Sequence, residues 1–300
     1  MLKLNKSLTG GIILPLVVMM LWGSLFPFIK IGYKAFNIDT SNVADILIFA
    51  AFRFFVCGAI VCLIAYFKKE KIEMPKIRSI SGICIMGIFT VVLHYGFLYI
   101  GLTQTESSKA AILKQLGPLV FACLSFLFIK DEKFSVAKII CALVGFCGII
   151  AINAGTGLNG FSIGDILVLA ASFCTVVSMI ISNKNVRGTS PFWVTGISQL
   201  FGGVILFAIA MFMGGKIPTF NITAFFVFAY ICTASIVSYT LFYYVQRTTE
   251  LSKLFIIKFA EPLFACIFGA ILLGENILKI QYLLAFICIS LGISYLYFSS

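Results

Sequence analysis

A fifteen-residue block that carries a lysine and a proline occurs twice in this sequence, with its copies 144 positions apart. Residues 105–119 and 249–263 are identical at eight of the fifteen positions, whereas unrelated segments of ordinary composition would share roughly one. The match indicates an internal duplication. Each copy lies in a hydrophobic segment, and a lysine inside such a segment predicts a functional site of a membrane protein.

Both copies place a lysine four residues before a proline, so that Lys114 precedes Pro118 and Lys258 precedes Pro262. Because a proline cannot donate a hydrogen bond to the carbonyl four residues before it, the carbonyls of both lysines are freed. In a membrane the freed carbonyls must be satisfied by protein groups, water or substrate. We expect two broken helices that line a hydrated cavity, with a plain proline kink that only aids packing as the alternative.

The two lysines predict a site for an anionic group within the bilayer. An unpaired lysine near the bilayer centre costs at least ~2.5–3.5 kcal/mol, so Lys114 and Lys258 need partners, water or a ligand. Glu261 lies three residues from Lys258 and can pair with it, and its role is either this ion pair or proton coupling. The first copy has Gly117 at the equivalent position. Lys114 therefore lacks a local partner and is expected to bind an anionic substrate group, unless it extends outward or pairs with a structural partner.

Other polar and aromatic residues fall at depths from which they could face the same cavity. We expect the cavity residues to include Trp22, Arg53, His94, Tyr95, Gln115, Gln199 and Tyr239. His94 is the only histidine and could relay protons or simply form hydrogen bonds within the core. Arg53 either binds substrate or pairs with an interior carboxylate or a helix end. Trp22 either contacts substrate or anchors the bundle at the membrane interface.

Each copy of the block begins with a threonine and a glutamate, which suit the first turn of a helix through capping and the helix dipole. In an alternative interpretation, these glutamates take part in gating. Inverted copies would place Glu106 and Lys109 at one face of the membrane and Glu250 and Lys253 at the other. The two pairs could then open and close alternately.

The composition indicates that membrane-spanning helices position these residues. Of the 300 residues, 61% are hydrophobic and 11% are charged, with a mean hydropathy of +1.10, whereas soluble globular proteins are ~45–50% apolar. The apolar runs lack the alternation of transmembrane strands, and a helix needs ~20 residues to span the bilayer. We predict an all-α membrane protein with ten spans at residues 10–29, 46–67, 79–105, 110–129, 139–164, 166–183, 188–215, 217–246, 254–274 and 280–300.

The net charge of +11 indicates topology rather than nucleic-acid binding. With the N-terminus inside, fourteen lysines and arginines lie at inner ends of spans, five at outer ends and three within the membrane. Because inner loops carry the excess of positive charge, both termini are predicted to be cytoplasmic, in the plasma membrane. Five spans in residues 1–154 and five in residues 155–300 place the second unit upside down relative to the first, which predicts two inverted five-helix repeats.

Three short motifs occur in order along the predicted spans. They are Leu-Trp-Gly-Ser at 21–24, Phe-Arg-Phe at 52–54, and Glu-Pro-Leu-Phe-Ala at 261–265 followed by Gly-Glu-Asn at 274–276. Over nearly the whole chain, these motifs and the duplicated ten-span pattern resemble the EamA-type family of the drug/metabolite transporter superfamily. The resemblance implies two inverted repeats, a centrally bound substrate, and export or uptake without ATP hydrolysis. The chain departs from the commoner family pattern by placing a lysine before the proline in both halves.

These features predict a secondary transporter of a small polar metabolite such as an amino acid or organic anion. The family resemblance favours export. The lysines would attract carboxylate or phosphate, while the freed carbonyls and Glu261 would meet an amino or hydroxyl group. An organic-phosphate or nucleotide-sugar exchanger is one alternative, and a lipid flippase or scramblase is an alternative of another class. Because no catalytic, nucleotide-binding or metal-spaced motif is present, we expect neither an enzyme nor a cofactor. The predicted partners are a small-molecule substrate, the lipid bilayer and, through Glu261, a coupling proton; nucleic acid is not expected, and the oligomeric state is left open.

Overall fold

The computed structural model describes residues 9–68, 77–102, 104, 107–130, 132–152, 162–186 and 188–274, together with seven positions between 283 and 295. All regular structure in these residues is helical, which confirms the all-α class for the described part of the chain. Within it, the α-helices are α1 (Leu14–Ala35), α2 (Val43–Phe67), α3 (Ile77–Gly87), α4 (His94–Leu102), α5 (Ser107–Phe128), α6 (Val136–Ile152), α7 (Ile163–Asn185), α8 (Pro191–Phe212), α9 (Ile222–Val245), α10 (Leu251–Ile257) and α11 (Ala260–Leu273), and a π-helix, Thr9–Ile13, precedes α1.

Seven helical segments of the described residues are long and apolar enough to cross a membrane, and shorter apolar helices cover Leu113–Phe128 and Val136–Cys147. A π-helical stretch, Ile88–Leu93, joins α3 to α4, so the two form the single span Ser79–Gly101. The tenth predicted span, residues 280–300, lies mostly outside the described residues. The count of ten helices and the inverted repeats therefore stay predictions.

Several helix boundaries are set by polar side chains that satisfy the free backbone groups of the first turn. Asn42 caps α2 by accepting a hydrogen bond from the backbone N–H of Ala44 at 3.0 Å. Ser162 and Asp165 form a reciprocal capping box at the start of α7. The first predicted span ends at residue 29, but α1 continues past this point, and Lys34 lies in its last turn, where a basic residue suits the helix dipole.

Contacts between connections define two faces of the bundle. We call the side on which α1 begins the N-terminal face and the other side the opposite face. At the N-terminal face, Arg247 donates hydrogen bonds to the carbonyls of Val186 at 2.8 Å and Thr189 at 2.6 Å. At the opposite face, Asn221 donates to the carbonyl of Ala35 at 2.9 Å. The assignment of the N-terminal face to the cytoplasm stays a prediction from the charge bias.

Helices from the two halves of the chain interlock around the centre of the bundle. α2 packs along α8, and α1 packs against α9 and α11. A Cβ on Gly203 would lie 2.6 Å from the backbone nitrogen of Phe55, and one on Gly23 would lie 2.6 Å from the Cβ of Phe264. Such close approach through small residues is a common way of packing helices in membranes. It leaves a central space bordered by α1, α2, α4, α5, α7, α9 and the junction of α10 with α11.

Candidate functional site

A cavity of about 260 Å³ occupies the central space. Eight of the ten residues predicted to bind substrate line it. Five of the eight have basic or acidic side chains, namely Arg53, His94, Lys114, Lys258 and Glu261. The other three are the aromatic residues Trp22, Tyr95 and Tyr239.

The two predicted glutamines are buried elsewhere, because Gln115 and Gln199 do not belong to the lining. Consecutive residues of a helix are turned by about 100°, so Gln115 points away from the cavity that Lys114 enters. Gln199 lies on α8, which packs along α2 and contributes none of the described lining residues. The expectation that both amides face the cavity is not met.

One carboxylate connects both repeated lysines. Lys258 Nζ lies 2.6 Å from Glu261 Oε2, and Lys114 Nζ lies 3.5 Å from Glu261 Oε1. The predicted pairing of Lys258 with Glu261 is confirmed. Lys114 gains the same carboxylate from across the bundle, so it has a structural partner and does not extend toward the headgroups. Both ammonium groups also lie over aromatic rings, 4.5 Å from the centre of Trp22 for Lys258 and 4.9 Å from that of Phe26 for Lys114, an arrangement that stabilises a cation.

The helix is broken at the second copy of the block. α10 ends at Ile257 and α11 begins at Ala260, so Lys258 lies at the break that precedes Pro262. The carbonyl of Lys258, which this proline frees, accepts a hydrogen bond from the backbone N–H of Glu261 at 3.0 Å. The predicted break is confirmed here, but its carbonyl is satisfied within the chain.

The first copy differs, because α5 continues through Pro118 without a break. Ser172 of α7 donates its hydroxyl to the freed carbonyl of Lys114 at 2.6 Å and accepts a hydrogen bond from the N–H of Gly117 at 2.9 Å. The serine thus supplies a partner for the backbone where the proline removes one. The expectation of a second broken helix is wrong, and each freed carbonyl already accepts a hydrogen bond from within the chain.

Arg53 is almost completely buried beside the cavity, with 2% of its surface exposed. Its Nη2 donates a hydrogen bond to the hydroxyl of Tyr95 at 2.9 Å, and its guanidinium carbon lies 4.3 Å from the centre of the Phe54 ring. Among the described residues, no carboxylate lies within ion-pair distance of it. The alternative in which Arg53 pairs with an interior carboxylate is therefore not observed.

Trp22 and His94 are held inside the bundle. The Trp22 ring packs against Tyr239 and Phe242 at centroid distances of 5.3 and 5.2 Å, so it is not an interfacial anchor. His94 Nδ1 lies 2.9 Å from the carbonyl oxygen of Ala171. The same nitrogen lies 2.9 Å from the hydroxyl of Thr175, so His94 is hydrogen-bonded within the core.

A second set of charges lies at the N-terminal face. Lys138 Nζ is 3.3 Å from Glu132 and 2.5 Å from Glu250, and Lys253 Nζ is 3.8 Å from Glu250. The backbone N–H of Ser252 donates to Glu132 at 3.1 Å. We call Glu132, Lys138, Glu250 and Lys253 the N-terminal-face cluster. It joins the connection between α5 and α6 to the start of α10.

The predicted gates are only partly described. Glu250 and Lys253 belong to the N-terminal-face cluster. Glu106 and the side chain of Lys109 lie outside the described residues. The proposed alternation between two gates therefore stays a prediction.

Sequence reasoning missed Glu132 and Lys138. The signal that could have marked them is their position in a short connection between two apolar segments. Burial raises the pKa of Glu132, but hydrogen bonds from Ser125 and Ser252 and the charge of Lys138 outweigh burial and lower this pKa below its usual value. The carboxylate is therefore ionised at neutral pH and attracts Lys138.

The cavity also contains hydroxyl groups that no motif indicated. Tyr33, Tyr99 and Thr175 line it, and Thr90 and Ser178 are hydrogen-bonded to each other at its edge. Hydroxyls can donate to or accept from a polar ligand. Within the described residues, no group of three or more His, Cys, Asp or Glu side chains could hold a metal ion.

Apolar helices that cross the membrane around a central, charged cavity are the features of a multi-pass membrane transport protein. The sequence profile of the EamA-like transporter family matches residues 9–154 and again residues 162–298. The chain belongs to this family, as the sequence motifs predicted, and is a membrane transporter.

Relatives occur in bacteria, archaea and plants. The uncharacterised inner membrane transporter YedA of Escherichia coli strain K12 is 26% identical over 269 residues, which cover 88% of this chain and 83% of that protein. An uncharacterised transporter of Archaeoglobus fulgidus is 25% identical over 268 residues, 87% of this chain and 88% of that protein. A WAT1-related chloroplastic protein of Arabidopsis thaliana is 27% identical over 248 residues, 77% of this chain and 58% of that protein. A solved crystal structure superposes with a TM-score of 0.74 at 17% identity and 95% coverage of both chains, a similarity that concerns the fold alone.

Proposed function

We propose that this transporter is a secondary exporter of a small organic anion or amino acid, working by alternating access to the central cavity. The observation that carries the proposal is the pair of repeated lysines inside the membrane that share one carboxylate. Two lysines and one glutamate leave a net positive charge at the site, and a charge buried in a membrane protein needs compensation. A carboxylate or phosphate of the cargo supplies it.

The two ion pairs differ in length, which indicates where the cargo binds. Glu261 lies 2.6 Å from Lys258 but 3.5 Å from Lys114. In the proposed mechanism, the anionic group of the cargo replaces Glu261 at Lys114 while the pair of Glu261 with Lys258 stays intact. Glu261 is then available to an amino group of the cargo or to a coupling proton. The rings of Trp22 and Tyr239 provide apolar contact, as aromatic walls do in small-molecule sites.

The size of the cavity favours a small metabolite. Its volume of about 260 Å³ lies below the ~300–1,000 Å³ that is usual for ligand pockets, so a nucleotide sugar is a poor fit. A small organic phosphate is the second candidate, because two converging lysines suit a phosphate as well as a carboxylate.

Two observations support alternating access. The family profile matches the chain twice, as expected of two copies of one repeat, and repeats of this kind underlie alternating access in other transporters. The N-terminal-face cluster holds the connection between α5 and α6 against α10, whereas the cavity lining includes Tyr33 and Tyr99 in the opposite-face halves of their helices. This arrangement fits a state closed at the N-terminal face, which we assign to the cytoplasm together with both termini.

Transport assays on membrane vesicles test this proposal. Amino acids, small carboxylates and phosphorylated metabolites are screened first, and the best anion is then compared in Lys114→Ala and Lys184→Ala. Lys184 is exposed near the end of α7, so its substitution removes the same charge away from the cavity. We expect Lys114→Ala to raise the KM by about tenfold or more while expression stays normal, because a charge-assisted hydrogen bond is lost. Unchanged kinetics in Lys114→Ala would refute the role assigned to the site.

A further inference from the structure

Two separate positive groups, in addition to Lys30, line the central cavity. The lysine pole consists of Lys114, Lys258 and Glu261, which form one ion-pair network. The arginine pole consists of the Arg53 guanidinium and the Tyr95 hydroxyl that accepts its hydrogen bond. Each pole carries one positive charge that no carboxylate balances among the described residues.

The surroundings of Arg53 leave donor groups for a ligand. A guanidinium has five N–H donors, and among the described residues only Tyr95 accepts a hydrogen bond from it. Its Nε is buried without a partner. The other titratable groups around it are Tyr33, Tyr99, Tyr239 and Cys57, types that are ordinarily uncharged at neutral pH. The fork of donors matches a carboxylate, which it can bind through two hydrogen bonds.

The lysine pole cannot supply the missing partner. Its single carboxylate, Glu261, is already bound by Lys258 at 2.6 Å and by Lys114 at 3.5 Å. One anionic group from the cargo therefore balances the charge of the lysine pole, but it leaves Arg53 without an anionic partner. A cargo with a single negative charge would thus leave a buried cation unpaired, which is costly inside a membrane protein.

We propose that the cargo carries two acidic groups, of which one binds at the lysine pole and the other binds to Arg53. The inference rests on the proposed function and makes its substrate class narrower. Both poles line the same cavity. Tyr95 connects them, because it accepts a hydrogen bond from Arg53 and also interacts electrostatically with Lys258. A short dicarboxylate, with or without an amino group, has its two charges at its two ends and meets both poles at once.

Binding of an isosteric pair of ligands to the purified full-length protein tests the inference. Glutarate carries two carboxylates, and glutaramate replaces one of them by an uncharged amide of the same shape. Both are titrated by calorimetry into the wild-type protein and into Arg53→Gln, Arg53→Lys, Lys114→Gln and Lys184→Gln. A series from malonate to adipate then measures the distance that the two poles prefer.

We expect the wild-type protein to bind glutarate about tenfold or more tightly than glutaramate, because the second carboxylate gains charge-assisted hydrogen bonds. Arg53→Gln should bind the two ligands alike, and Arg53→Lys should retain part of the preference. Lys114→Gln should weaken the binding of both ligands, and Lys184→Gln should change the affinity for neither. Since Arg53 is buried and Arg53→Gln could unfold, the comparison on wild-type protein keeps the requirement for two acidic groups testable without that variant.

The outcomes separate the two proposals. Equal binding of glutarate and glutaramate to the wild-type protein would overturn the inference and leave anion transport intact. A preference for glutarate that survives in folded Arg53→Gln would also overturn it, because the second carboxylate would then bind to a group other than Arg53. If the wild-type protein bound none of these carboxylates, the inference and the proposed organic-anion function would fall together.

Discussion

The substitution Glu261→Gln is expected to tighten the binding of a small carboxylate, although it removes a charged group from the binding site. In the wild-type protein, the Glu261 carboxylate occupies the position at Lys114 that the cargo must take. Glutamine has nearly the same size but does not compete as an anion. A carboxylate ligand would then replace the missing charge between Lys114 and Lys258.

The magnitude follows from the 3.5 Å between Lys114 Nζ and Glu261 Oε1. At an effective dielectric constant of ~20, two unit charges at this separation attract each other by ~5 kcal/mol. Water in the cavity and movement of the lysine reduce this energy, and a third of it, ~1.5 kcal/mol, corresponds to about a tenfold lower Kd. The variant also leaves two lysines without their carboxylate, so its melting temperature should be lower than that of the wild type and should rise more when ligand is added.

Titration of acetate and glutarate into purified protein, followed by calorimetry and by thermal unfolding, measures both effects. Asp39→Asn is the matched control, since Asp39 is an exposed carboxylate between α1 and α2. The control should bind as the wild type does. A folded Glu261→Gln protein that binds both carboxylates no more tightly than the wild type would refute the competition between Glu261 and the cargo.

Four further perturbations concern the contacts that hold the site. Gly23→Ala should lower the melting temperature and the anion affinity, since its Cβ would lie 2.6 Å from a side-chain atom of α11 and overpacking costs ~1–3 kcal/mol. Ser172→Ala should lower the free energy of unfolding by ~1–3 kcal/mol, because a buried carbonyl and a buried N–H lose their partner. Lys138→Gln should speed hydrogen–deuterium exchange in residues 251–257, since it releases the start of α10. The pKa of Glu132 in the folded protein lies below its usual 4.5. The ionised carboxylate therefore stabilises the fold fully above pH 4.5, and this contribution is lost as the pH falls through the lowered pKa. The melting temperature should drop over that pH range.

Each of these perturbations has a matched control. A Cβ on Gly96 would meet no atom within 4 Å, so Gly96→Ala should be tolerated. The buried Ser235 donates its hydroxyl to a carbonyl of its own helix, and Ser235→Ala should cost less than Ser172→Ala. Lys133→Gln removes an exposed lysine from the connection between α5 and α6, five residues before Lys138, and should leave exchange unchanged. Glu132→Gln should flatten the pH dependence. If a variant and its control gave the same result, the contact assigned to the substituted residue would be contradicted.

Much of the fold and of the site could be predicted because charged residues in a membrane have few tolerable positions. A lysine in an apolar helix must face the protein interior or reach the interface, which marked Lys114 and Lys258 as cavity residues. The spacing of three residues predicted the pair of Lys258 with Glu261, since such residues are neighbours on a helix. Long apolar runs predicted the spanning helices without any knowledge of their packing.

The features that escaped prediction depend on contacts between helices. Pro118 and Pro262 have the same local sequence pattern, yet only the second breaks its helix, because Ser172 of α7 satisfies the backbone beside the first. Lys114 and Gln115 are neighbours in sequence, but the orientation of α5 about its axis decides which of them enters the cavity. Periodicity within one segment carries no information on either contact.

Locating a bound anion in a crystal structure tests most directly whether the repeated lysines form a substrate site. Bromosuccinate is a dicarboxylate with an anomalous scatterer, so the bromine signal reports its position independently of the protein coordinates. We expect a bromine peak inside the cavity, with one carboxylate within hydrogen-bonding distance of Lys114 and the other near Arg53. A peak outside the bundle at saturating ligand, with the cavity unoccupied and both lysines still bound to Glu261, would contradict the proposed site.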